Sequence, residues 1–121
     1  MGKKILMIDD EPDFTDLIAT LLKFHRLEVE TCNKPETVLE KIGQEDYALL
    51  ICDLMMDEVD GFEICRKFRD HYQETPIIVL SAKTLTDTER KQLMELKTHF
   101  MPKPFEPKKL VEKVRELLDA A

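Results

Sequence analysis

The chain has 121 residues, 43% hydrophobic and 36% charged, with only three glycines and six prolines; this is one domain's worth of globular sequence and excludes disordered, collagen-like and low-complexity readings. A formal net charge of -7 repels phosphate backbones, which argues against direct nucleic-acid binding and for a cation as ligand. No apolar run approaches the ~20 residues that span a bilayer, no signal peptide is evident, and Cys32, Cys52 and Cys65 lack disulfide or zinc spacing, so no membrane contact and buried thiols in a reducing cytoplasm are expected.

In chain order, KKILMID is a short β-rich run ending in acids, and after Pro12 the residues Phe14, Leu17, Ile18, Leu21 and Leu22 follow one helical face. Glu28 to Cys32 alternates as a second strand; Pro35, Val38, Leu39 and Ile42 begin a helix that Gly43 can close. Tyr47 to Cys52 (YALLIC) is continuously apolar, as a strand covered on both faces must be, and ends at Asp53; it predicts the central strand. Phe62, Cys65 and Phe68 keep helical spacing after Gly61, and Pro76 introduces a second apolar run, IIVLSA. Thr86 to Glu89 reads as a capping box opening a helix that presents Leu93, Met94 and Leu96. Thr98 to Met101 is weakly strand-like, and Pro107 starts a helix striped by Leu110, Val111, Val114, Leu117 and Leu118.

Five βα units predict an α/β fold: a parallel sheet with helices on both faces, in one domain without a linker, because parallel strands need helical crossovers. In such sheets ligands bind beyond the carboxyl ends of the strands. The residues there are Asp9 and Asp10 after the first strand, Asp53 after the third, Ser81 after the fourth and Lys103 after the fifth. Singly, each is an ordinary turn or surface residue. Together, three like charges in one cleft need a cation or must take up protons, and magnesium prefers carboxylate and phosphate oxygens. A metal, an amine and a hydroxyl could jointly neutralise a transferring phosphoryl group.

The acidic pair in MIDDEPD, the run CDLMMDEVDGFE, the stretch PIIVLSAK and the ending KPF occur in order over essentially the whole chain. In this the chain resembles the response regulator receiver domains of two-component signalling. The resemblance implies one receiver domain over residues 1–121, a (βα)5 flavodoxin-like sandwich with strand order 2-1-3-4-5. It also implies a switch phosphorylated by a sensor histidine kinase or a histidine phosphotransfer protein, not a turnover enzyme. Position by position it makes Asp53 the phosphoacceptor, and Asp10, Asp53 and the backbone carbonyl of Met55 the direct ligands of Mg2+ or Mn2+, with Asp9 acting through water. Ser81 becomes the phosphoryl-binding hydroxyl, Lys103 the lysine that pairs with the acceptor, and Phe100 the aromatic partner of Ser81 in the switch. The Lys103–Pro104 peptide is expected to be cis. Output would pass through the fourth helix, fifth strand and fifth helix to a downstream effector or a fused output domain, and the resemblance allows a homodimer through the same face.

Some features depart from the family pattern. Asp57 and Glu58 replace the common proline and glycine after the acceptor, and read best as solvated turn residues. ELKTHF lacks the glycine that commonly ends a helix, which predicts an unusual join between the fourth helix and fifth strand. Pro102 removes a ladder donor, tolerable only at a sheet edge. His25, His71 and His99 follow no ligand spacing and read as surface or helix-end residues. The alternative to a phosphorylation switch is a degenerate receiver that only binds proteins, against which the full Asp10, Asp53, Ser81 and Lys103 set argues. A phosphohydrolase with an aspartyl nucleophile is disfavoured because Leu54 and Met55 break a D-x-D spacing.

Overall fold

The computed structural model describes residues 4–56 and 59–120, so Asp57 and Glu58 lie outside the described residues. Strands and helices alternate as β1 (Lys4–Ile8), α1 (Pro12–Phe24), β2 (Val29–Cys32), α2 (Pro35–Lys41), β3 (Tyr47–Asp53), α3 (Gly61–His71), β4 (Ile77–Ser81), α4 (Asp87–Glu95), β5 (Thr98–Pro102) and α5 (Pro107–Asp119). All neighbouring strands pair in parallel, in the order β2-β1-β3-β4-β5. Among the described residues no helix is long and apolar enough to cross a membrane.

The two-residue period of the strands divides the core into two layers. Leu6, Ile8, Leu50, Cys52, Ile77 and Val79 face α2, α3 and α4, whose Val38, Ile64, Phe68 and Leu93 complete that layer. Ile5, Met7, Leu49, Ile51, Ile78 and Leu80 face the other way, onto Ile18 and Leu22 of α1 and Leu110, Val111 and Val114 of α5. This explains the unbroken apolar run of β3: a central strand has no solvent face. Cys32, Cys52 and Cys65 are all free and buried. The helical stripes are narrower than the sequence predicts, since Leu17 is 58% and Met94 77% exposed. Each sits at the flank of its stripe, beyond the reach of the sheet.

The end of the sheet where the strands begin is closed by hydrogen bonds between side chains and the backbone of the loops there. Gly43, at φ +91°, follows α2 in a conformation that favours glycine, and a Cβ there would lie 2.7 Å from the exposed His71 ring, which would have to move aside. Its N–H donates to the Tyr72 hydroxyl at 2.8 Å, which donates in turn to Glu45 O at 2.6 Å. The join of α4 to β5 is regular, contrary to the expectation from ELKTHF. Lys97 takes the left-handed conformation itself, at φ 58°, and its N–H reaches Met94 O at 3.0 Å. A non-glycine residue there costs roughly 1–2 kcal/mol. Arg69 offsets that cost by donating to the carbonyls of Leu96, Lys97, Tyr72 and Thr75.

Candidate functional site

The site lies at the other end of the sheet, where the strands stop. Asp53 is the last residue of β3 and only 4% exposed. Its Oδ1 accepts the Met55 N–H at 3.1 Å; Met55 also bridges Asp60, whose side chain caps α3 by accepting the Phe62 N–H at 2.9 Å. Gly61 completes this tight return, because a Cβ there would lie 2.5 Å from Asp53 O. Asp9, fully buried, follows β1; its Oδ1 accepts the Glu11 N–H at 2.9 Å.

Lys103 reaches both acids, with Nζ 3.3 Å from Asp9 Oδ2 and 3.4 Å from Asp53 Oδ2. The same ammonium stands 4.3 Å from the centre of the Phe14 ring, which meets Phe105 edge-on. The backbone sets the position of the lysine: its N–H donates to Ser81 O at 2.9 Å, extending the β4-β5 ladder by one bond. Successive N–H groups alternate sides along a strand, so the nitrogen of Pro102 faces the open edge of β5, where no donor is needed. The Lys103–Pro104 peptide is cis.

Asp9, Asp10 and Asp53 each offer a carboxylate oxygen, all within 4.8 Å of one another, so the set could hold a metal ion. Three carboxylates and one ammonium leave two negative charges for a divalent cation to match, and hard oxygen donors suit it. At an effective dielectric near 20, each like-charge pair at this spacing repels by about 3 kcal/mol, which the ammonium roughly offsets. Desolvation is then left over. Accordingly, burial first and the Asp9 charge second push the Asp53 carboxyl above its ordinary pKa, despite the Met55 N–H and Lys103. Burial alone would lower the pKa of Lys103, but Asp53 and Asp9 hold it above its usual value.

Ser81 ends β4 fully buried, and its Oγ accepts the Lys83 N–H at 3.0 Å. Phe100 is 39% exposed on β5 and lines a cleft of about 580 Å³ together with Ser81, Arg90, Met94 and Lys103. Of the predicted residues, Asp9, Asp10, Asp53 and Lys103 meet in one place, and Ser81 and Phe100 line the cleft beside Lys103. The histidines do not join them. His25 follows α1, His71 ends α3, and His99 lies half-buried on the edge strand rather than at a helix end.

Sequence reasoning missed Asn33, whose Nδ2 donates at 2.8 Å to both Asp9 O and the Oγ1 of buried Thr15, fixing the turn that carries the acidic pair. Its position after β2 obeys the same strand-end rule that found the others. Phe14, the wall behind Lys103, carried no signal beyond its helical spacing.

Fold and site together define a doubly wound α/β protein with an acidic, lysine-bridged pocket at the strand ends. A sequence model of the response regulator receiver domain matches residues 5–115. Over 119 residues, 98% of the chain is 34% identical to the transcriptional regulatory protein SrrA of Staphylococcus aureus, covering 48% of that protein; the chain spans about half the length of the curated relatives it matches. It superposes on a CheY-like receiver domain protein from Methanospirillum hungatei with a TM-score of 0.91, at 25% identity, covering 99% of this chain and 96% of that one. On DrrB, an OmpR/PhoB homolog from Thermotoga maritima, the TM-score is 0.85 at 26% identity, covering 99% of this chain and 54% of that one. The chain belongs to the response regulator receiver domains of two-component systems.

Proposed function

We infer that the chain is a single receiver domain that accepts a phosphoryl group onto Asp53 from a histidine kinase or a histidine phosphotransfer protein. The observation that carries this reading is a nearly buried carboxylate, 3.4 Å from a lysine ammonium, inside a three-carboxylate cluster. A carboxylate oxygen of Asp53 attacks phosphorus as the bond to the donor imidazole breaks, forming an acyl phosphate and returning the imidazole to the partner. Asp10, Asp53 and the Met55 carbonyl would hold Mg2+ or Mn2+, with Asp9 acting through water; when bound, the ion neutralises charge on the phosphoryl oxygens. Lys103, already on Asp53 Oδ2, pairs with the incoming oxygens, while Asp9 and Phe14 keep its ammonium in place.

Ser81 then closes on the new anion and Phe100 turns into the space vacated beside the 580 Å³ cleft. With no hydroxyl on Phe100, the readout is by packing. It is delivered by the α4-β5-α5 face to an effector protein or a fused output domain. The chain modifies only itself and turns over no substrate.

The test is incubation with acetyl phosphate or beryllofluoride and Mg2+, wild type against Asp53→Asn, followed by intact mass and amide NMR shifts. Wild type gains the group and the variant does not. Equal reaction of the variant, or none in the wild type, would falsify this reading.

A further inference from the structure

Lys83 stands two residues beyond Ser81 and is engaged at both ends. Its backbone N–H donates to Ser81 Oγ at 3.0 Å, and its ammonium pairs with Glu89 Oε2 in the first turn of α4. The other oxygen of Glu89 accepts the Thr86 N–H at 2.9 Å, while the Glu89 N–H donates to Thr86 Oγ1 at 3.1 Å. These two bonds are the capping box that starts α4. The Ser81 hydroxyl is therefore tied to the N-terminus of α4 through an unbroken series: Ser81, Lys83, Glu89, Thr86. Lys83 also lines both clefts beside the loop, the 580 Å³ one beside Phe100 and one of about 490 Å³ next to Met55.

We propose that the Lys83–Glu89 ion pair is a latch that holds Ser81 back from Asp53, making Lys83 and Glu89 positioning residues that act on the phosphoryl site through the Ser81 hydroxyl. The proposal rests on the phosphoacceptor reading above. An anion on Asp53 draws the Ser81 hydroxyl toward it. Ser81 Oγ keeps its Lys83 N–H partner only if the loop moves along, which strains the ammonium away from Glu89; otherwise that hydrogen bond breaks. Either path opposes the move. Because the two side chains are 39% and 20% exposed, the latch is a modest one, worth about two- to fivefold in the balance between resting and active states.

The experiment titrates beryllofluoride with Mg2+ into wild type, Glu89→Gln, Lys83→Met and the double variant, read by amide NMR. The glutamine of the first variant keeps an oxygen for the Thr86 N–H, so the α4 cap survives while the charge is lost. Each single variant is expected to bind two- to fivefold tighter, the double no tighter than either single, with melting temperatures near wild type. Hydrogen exchange at the Lys83 amide, measured without the anion, should rise by a similar factor in Glu89→Gln. Unchanged or weaker binding in both single variants, additive effects, or unchanged exchange at Lys83 overturns the latch. Tighter binding in Glu89→Gln with weaker binding in Lys83→Met also overturns it, since Lys83 would then be serving as an anion ligand. If wild type fails to bind, or Asp53→Asn binds as well, the phosphoacceptor reading itself falls and takes the latch with it.

Discussion

The two ends of the sheet are built from the same ingredients and put them to opposite use. Where the strands begin, Lys4 and Lys41 pair with Glu30 at 2.8 and 2.7 Å, and Lys4 reaches Glu45 at 3.0 Å. Charge there is balanced, two lysines against two glutamates, and the side chains are partly in solvent. Burial alone would raise the pKa of Glu30, but hydrogen bonds from the two lysines bring it below its ordinary value. Where the strands stop, three carboxylates cluster beside one lysine, and the Asp53 carboxyl is held above its ordinary value instead. Balanced, half-exposed charge closes a fold; buried charge in excess is a site waiting for a positive or reactive partner.

Substitutions that break this contrast are expected to act in a graded series. Asp53→Asn abolishes acyl-phosphate formation; in metal-free buffer it also melts above wild type, because it removes a buried carboxylate from a crowded cluster. Chelation of divalent cations stops the reaction in wild type, and Asp10→Asn raises the Mg2+ concentration needed by about tenfold or more, as titration of the acetyl phosphate rate will show. Gly61→Ala drives a methyl into the Asp53 carbonyl and costs about 1–3 kcal/mol in urea unfolding.

At the opposite end the effects are on stability alone. Glu30→Gln costs on the order of 0.5–1 kcal/mol at neutral pH and leaves phosphorylation intact. Its sign with pH follows from the depressed folded pKa: the contribution of Glu30 is present above its unfolded pKa and is lost as pH falls through the folded one. The variant therefore shows a shallower acid-side decline in melting temperature. Lys97→Gly relieves the left-handed backbone and stabilises by less than about 1 kcal/mol, part of the relief being offset by the freer unfolded chain. A loss of stability there would mean that the Arg69 bonds depend on the lysine side chain.

Much of the site was legible because strand ends in a parallel sheet converge, so residues distant in the chain could be grouped from the sequence alone. Asn33 escaped because its role is to hold the backbone of Asp9, and backbone partners leave no pattern in side-chain chemistry. Phe14 escaped because a helical apolar residue looks the same whether it meets the core or a lysine. The α4-β5 join was misjudged for a related reason: a missing glycine is visible in sequence, but the four carbonyls that Arg69 gathers from distant turns are not.

By itself, the order of apolar runs, helical stripes and acidic strand ends determined the alternating fold, the central strand and the identity of the clustered residues. These follow from local periodicity and from the topology that parallel strands impose. Only the tertiary structure decided that Lys103 bridges Asp9 and Asp53 together, that Ser81 is tied through Lys83 to α4, and that one end of the sheet is charge-balanced while the other is not. Those outcomes depend on distances of a few ångströms between residues as many as 94 positions apart, and on burial, which strengthens electrostatic interactions once water is excluded.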